Sequence, residues 1–184
     1  NKIRILKNRL INAAGRMKVI FFDKTGTLTV NQVNLETVYI SDLNSNRNDC
    51  TKLDRNQFVY KKADKSDHTG YSQMLLTNNF AANHTLVESK TGLILGDPLE
   101  EELLNYARGK FAPTEGSYVK TIKVAKDGCD SVQNVVEIFG FKPELQRMSV
   151  VVHDPQTKET HSFIKGAPEK IIQLCNPLSL PTNI

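Results

Sequence analysis

The 184-residue sequence predicts an α/β protein of the α+β kind: an antiparallel β-sheet flanked by helices, preceded by one further strand that ends on a carboxylate. From residue 118 to 165, β-rich runs follow one another through short turns, which implies antiparallel pairing because a parallel pair needs a long crossover. A sharply marked helix start stands at Asp97, and an apolar stretch from about Met17 to Phe22 runs straight into Asp23.

Residues 1–16 carry Lys2, Arg4, Lys7, Arg9 and Arg16 among isoleucines and leucines, with Gly15 as punctuation before the strand expected over about 17–22. The stretch "VNLETVYI" (33–40) alternates and suits a strand. Residues 41–70 are dominated by Asn, Asp, Ser and Lys with few large apolar side chains, so a polar surface insertion, partly disordered, is expected there. Tyr71, Met74, Leu75, Ala81 and Ala82 fall at helical spacing around Phe80 and predict a helix over 71–83. The stretch "TLVESKTGLILG" (85–96) reads as a hairpin turned at Lys90 to Gly92, the glycine supplying positive φ. Within "DPLEEELLNYARG" (97–109), Asp97 is the N-cap, Pro98 takes the first helical position, Glu100 follows three residues after the cap and Gly109 stops the helix. Strands are then expected at 118–125, 135–141, 147–152 and 161–165, and a short helix at 167–175 with Pro168 near its start.

Lys and Arg number 24 against 20 Asp and Glu, a charge of +4 spread along the chain. No basic patch suits nucleic acid. Cys50, Cys129 and Cys175 are odd in number, far apart and lack a C-x-x-C pair, which argues against a disulfide framework or structural zinc and fits a reducing compartment. No apolar run approaches the roughly 20 residues of a membrane helix, and no signal-peptide core opens the chain. A soluble piece of a longer protein is therefore expected, since the sequence starts at Asn1.

In α/β sheets ligands meet the carboxyl ends of strands, so Asp23 is expected to face a crevice. Lys24, Thr25, Gly26 and Thr27 then offer backbone N–H groups, hydroxyls and a glycine that admits close approach, a set that suits phosphate oxygens. A carboxylate beside a phosphate is repelled unless it is the nucleophile and a cation neutralises the charge. A bare D-x-T-G is as readily a threonine-rich turn; the full D-K-T-G-T-L-T is much harder to explain that way.

The motif "DKTGTLT" (23–29) resembles the phosphorylation signature of the P-type ATPases. In the family's order, "GDPLE" (96–100) and "KGAPE" (165–169) resemble elements of the nucleotide-binding domain that the family inserts into its phosphorylation domain. With "INAAG" (11–15) and "LQRMSVVV" (145–152), the set is most similar to the type V branch. The phrase "LQRMSV" leans to its B group, associated with cation or polyamine transport in endolysosomal and other internal membranes.

The resemblance implies that 1–33 is the N-terminal piece of a haloacid-dehalogenase-like phosphorylation domain, a strand plus the DKTGTLT loop, and that 34–184 is the nucleotide-binding domain carrying the insertion at about 41–70. It implies ATP and Mg²⁺ as cofactors, Asp23 as the phosphorylated nucleophile with Lys24 and Thr25 beside it, and Asp23 and Thr25 as magnesium ligands. Soluble phosphatases of the haloacid-dehalogenase type carry a second aspartate, a general acid/base, where Thr25 stands, so the phosphoenzyme here is expected to persist.

Phe141 matches the adenine-stacking phenylalanine, an ordinary core role being the alternative; Lys165 matches the pocket lysine, against a solvated lysine before a glycine turn. Gly166 is expected to let backbone approach the nucleotide. Glu100 matches an acidic residue near the adenine edge but also stands where a helix cap would, while Gln146 and Arg147 reach toward phosphates or ribose. His84 resembles part of a "CHSL"-type element, with Asn83 in place of the cysteine, and is expected to be structural. Lys142 and Pro143 follow Phe141 where many relatives have two serines, and "VNQVN" (30–34) replaces an acidic-glycine-leucine run.

The T-G-E, T-G-D and G-D-G-x-N-D motifs of the family are not in the sequence. The expected activity is therefore ATP binding without turnover. The remaining polypeptide would be the partner, and the membrane would be met only through it, at its cytosolic face. A non-catalytic nucleotide-binding module is the alternative; a haloacid-dehalogenase-type phosphatase is disfavoured by Thr25.

Overall fold

The computed structural model describes residues 7–30, 32–41, 50–55, 68–125, 130–177 and 180. The chain divides into two compact units, Asn1–Gln32 and Val33–Ile184.

In the first unit a single 3-10 turn, Asn8–Leu10, leads into the one-turn helix α1, Ile11–Ala14. The strand expected over about 17–22 is not formed: these residues join no ladder, and Phe21 is 94% exposed. An apolar run becomes a strand only when a second strand takes up its N–H and C=O groups, and none of the described residues does so.

The second unit opens with β1, Thr37–Ser41, paired antiparallel to β2, Cys50–Asp54. The strand β2 lies within the polar segment 41–70, so part of that segment is ordered as sheet, with four of its five residues exposed. Lys and Asp are poor strand formers, so the ladder to Val38 and Ile40, both buried in β1, supplies the order that local propensity does not. Residues 42–49 and 56–67 of the expected insertion lie outside the described residues.

Helix α2, His68–Ala82, is followed by the small hairpin of β3, Val87–Glu88, and β4, Ile94–Leu95, whose turn holds Gly92 at φ 79°. Helix α3, Pro98–Tyr106, starts as the sequence predicts: the Asp97 carboxylate accepts from the N–H groups of Leu99 and Glu100. Gly109 does not stop it. The helix ends three residues earlier, and Gly109 begins β5, Gly109–Ala112, a strand that no sequence pattern announces.

Strands β5, β6 (Lys120–Val124), β7 (Ser131–Lys142), β8 (Arg147–His153) and β9 (Thr160–Gly166) form one five-stranded sheet in sequence order, antiparallel throughout. Helix α4, Pro168–Ile172, follows. Met148, Val150 and Val152 of β8 alternate inward, the period-2 pattern of a half-covered sheet. Two clusters make the core: Ala81, Leu86, Leu104, Ala107, Ile122 and Val124 in one, and Ala82, Val135, Val150, Val152 and Phe163 in the other. Adjacent alanines at the end of α2 thus enter both, and their small side chains let that helix lie close to the inner face of the sheet.

Candidate functional site

On β9, Lys165 stands directly opposite Met148 of β8, and partners across an antiparallel pair share a face, so both point to the inner side of the sheet. The Lys165 Nζ donates to Glu100 Oε1 at 2.7 Å, joining residues 65 positions apart. Glu100 sits in the first turn of α3, and its other oxygen accepts from the Thr85 N–H at 2.8 Å and the Thr85 hydroxyl at 2.9 Å. The capping role open to Glu100 in the sequence is displaced by these contacts. Only 7% of Glu100 is exposed. Burial pushes its carboxyl up, but the hydrogen bonds from Lys165 and Thr85 outweigh that and hold it below the ordinary carboxyl range.

Phe141 reaches the same face through an irregularity. Phe139 pairs with Ser149 and Lys142 with Arg147, so Gly140 and Phe141 together stand opposite the single residue Met148. Strict alternation would put Phe139 and Phe141 on one face; the extra residue of this bulge turns Phe141 to the other. Phe141, Met148 and Lys165 therefore form one row across three strands, with an aromatic ring at one end and an ammonium at the other. Phe141 is 59% exposed, which excludes the core role.

Gln146 lies in the turn between β7 and β8, at the edge of this face, whereas Arg147 opens β8 and, as the neighbour of the inward Met148, alternates to the other face. Gln146 adopts a left-handed φ of 49° and lends its carbonyl to the Ala167 N–H at 2.9 Å. Gly166 is explained by packing more than by room for a ligand: a Cβ there would press on the Gln146 carbonyl oxygen and lie 2.8 Å from Arg147 Cα. Only glycine lets β9 close against this turn.

Behind the ion pair lies a second polar layer that sequence reasoning only half anticipated. His84 is fully buried, as expected of a structural residue, but it accepts from Lys120 Nζ at 2.8 Å. Lys120 and Thr85 were not anticipated at all. For Lys120 a signal exists: it precedes Ile122 and Val124 on the inward positions of β6, and a lysine in an inward set marks a buried charge.

In the first unit, Asp23 has extended backbone (φ −67°, ψ 137°), and the loop Lys24–Leu28 closes on itself as Lys24 O accepts the Thr29 N–H at 3.0 Å and the Thr29 hydroxyl at 3.2 Å. Gly26 takes φ 77° inside it. Asp23, Lys24 and Thr25 are all exposed. Among the described residues no group of three or more His, Cys, Asp or Glu side chains is placed to hold a metal ion. Asp23 and Thr25 offer hard oxygen atoms of the kind magnesium takes, but they are too few to make its octahedral site.

The chain resembles three transport ATPases over nearly its whole length. Cation-transporting ATPase 5 of Schizosaccharomyces pombe is 30% identical over 95% of the chain and 16% of that protein. The vacuolar cation-transporting ATPase YPK9 of Saccharomyces cerevisiae is 28% identical over 94% and 14%. The polyamine-transporting ATPase 13A3 of Mus musculus is 24% identical over 94% and 15%. No family model matches. The chain spans about 15% of the length of the curated relatives it matches. An antiparallel sheet with flanking helices, in a chain that aligns with these relatives over nearly its own length, is consistent with the nucleotide-binding domain of a P-type ATPase. Over nearly its whole length the chain is homologous to cation- and polyamine-transporting ATPases, which supports a fragment of a P-type ATPase of the type V branch. Among the described residues no helix is long and apolar enough to cross a membrane.

Proposed function

We propose that the chain is the ATP-binding portion, with the phosphorylation loop, of a pump that moves a cation or polyamine, of the B group to which "LQRMSV" leans. The observation that carries this reading is the Glu100–Lys165 ion pair on the row that ends at Phe141. Phe141 offers its ring face to adenine. Glu100, with lone pairs left after Thr85 and Lys165, accepts from the amino edge of the base. Lys165 neutralises anionic charge beside it, Gln146 meets ribose or phosphate at the rim, and Gly166 keeps the turn that carries it closed.

In the parent protein a carboxylate oxygen of Asp23 attacks the γ-phosphorus. The new O–P bond forms as the bond from that phosphorus to the β–γ bridging oxygen breaks, and ADP leaves. Lys24 and the loop amides offset charge on the transferred group. With Thr25 in place of an acid/base, the acyl phosphate survives long enough for a conformational change to be coupled to it. The membrane helices and the rest of the phosphorylation domain belong to the remaining polypeptide, and this portion works at the cytosolic membrane face. The vacuolar name of the Saccharomyces relative favours an internal membrane.

Titration calorimetry with Mg·ATP, beside a phosphoenzyme assay, tests this. Weak binding is expected, with Kd roughly 0.1–1 mM. Phe141→Ala should weaken it about tenfold, the scale of one lost base–aromatic stack, and Lys165→Met should abolish measurable binding. Absence of binding by the wild-type chain would sink the site; steady hydrolysis or a stable acyl phosphate on the 184-residue chain would refute the absence of turnover.

A further inference from the structure

Lys120 opens β6 and is only 8% exposed. Its partner across the ladder is Val135, which in turn faces Val152, so its side chain shares the inner face with the second core cluster. An ammonium there needs acceptors, and His84 supplies both: Nδ1 at 2.8 Å and the backbone carbonyl oxygen at 2.5 Å. The Leu86 N–H also donates to His84 Nδ1 at 3.2 Å. Two donors on one ring nitrogen leave the proton on Nε2, so His84 is neutral; burial, reinforced by Lys120, drives it down to about 3.

Thr85, the next residue, gives its N–H and hydroxyl to Glu100, and Glu100 takes Lys165. Contacts thus run unbroken from Lys120 through the His84–Thr85 segment to Glu100 and Lys165, tying β6, the segment after α2, α3 and β9 together. We propose that Lys120 is a positioning residue for the nucleotide site, holding Glu100 against Lys165 through the His84–Thr85 segment and taking up a proton when nucleotide binds. The inference rests on the nucleotide reading of the Glu100–Lys165–Phe141 row.

The charged and titratable groups that act on Lys120 are His84 from the segment after α2, Glu100 from α3 and Lys165 from β9. Its neighbours on the same face of β6 and β7 are Ile122 and Val135, which carry no charge. Burial, partly offset by Glu100 and reinforced by Lys165, lowers the ammonium to about 7. A neutral amine keeps two N–H donors, so the contacts to His84 survive loss of the proton while the charge does not. A polyphosphate drawn to Lys165 adds negative charge to this poorly screened region and favours the charged form. By reciprocity, protonation of Lys120 tightens nucleotide binding.

The test is calorimetric titration of Mg·ATP into the chain in buffers of different ionisation heat. At about pH 7.5 the wild type should take up roughly half a proton more per nucleotide than Lys120→Gln. Its affinity should be about three- to tenfold tighter near pH 6.5 than near pH 8.5, beyond the change the variant shows, since the titration of ATP itself is common to both. Binding with equal proton uptake in the two proteins overturns the role of Lys120 alone; no binding by the wild type overturns the nucleotide reading and this inference with it. If Lys120→Gln does not fold, the side-chain carbon shift of Lys120 in the wild type is followed against pH. Its midpoint should rise with Mg·ATP, and an unmoved midpoint is the contrary result.

Discussion

Glu100 is buried, charged and bonded through both oxygens, so it sets how the stability of the site responds to acid. Its carboxyl is held below the ordinary value of 4.5 in the folded chain, and the unfolded chain binds the proton more readily. The stability it contributes is therefore complete above that value and is lost as pH falls through the lower folded value. Glu100→Gln should be less stable than wild type at neutral pH, and the gap should narrow between about pH 6 and about pH 3, read from denaturant midpoints. A constant gap would mean that packing, not charge, carries the effect. Residue chemistry made Glu100 and Lys165 legible as candidates, but not their contact. The facing of Phe141 was hidden because β7 slips its register against β8 twice, between Val135 and Glu137 and again between Phe139 and Lys142, and a bulge leaves no mark in the pattern of apolar residues.

At the scale of elements, what was legible is what local rules dictate. Asp97 and Pro98 start α3, Gly92 turns the hairpin, and the β-rich runs from 118 onward pair in sequence order. What was not legible depends on distant partners. β2 exists because β1 lies beside it, β5 because β6 does, and the apolar run 17–22 stays unpaired among the described residues because no strand meets it. The β8–β9 edge is the element whose integrity the site most needs, since it carries both Lys165 and the Gln146 turn. Gly166→Val would force the added carbons into the Gln146 carbonyl and Arg147. A loss of about 1–3 kcal/mol in chemical denaturation is expected, together with weaker Mg·ATP binding; an unchanged midpoint would show that the turn gives way freely.

At the scale of the whole molecule, both core clusters are built from residues of Val33–Ile184 alone. Removing residues 1–32 should therefore leave the melting transition of the sheet domain within a few degrees of the full chain, with Mg·ATP affinity unchanged. A large drop in either would show that the Asp23 segment supports the fold. The central claim is that the inner face of the sheet holds nucleotide between an exposed aromatic ring and a half-buried ion pair. Its most direct test is the change in backbone amide NMR shifts as Mg·ATP is added to the 184-residue chain. The claim predicts shifts that concentrate at Thr85, Glu100, Phe141, Gln146, Met148 and Lys165. Shifts scattered elsewhere, or none at millimolar nucleotide, would contradict it.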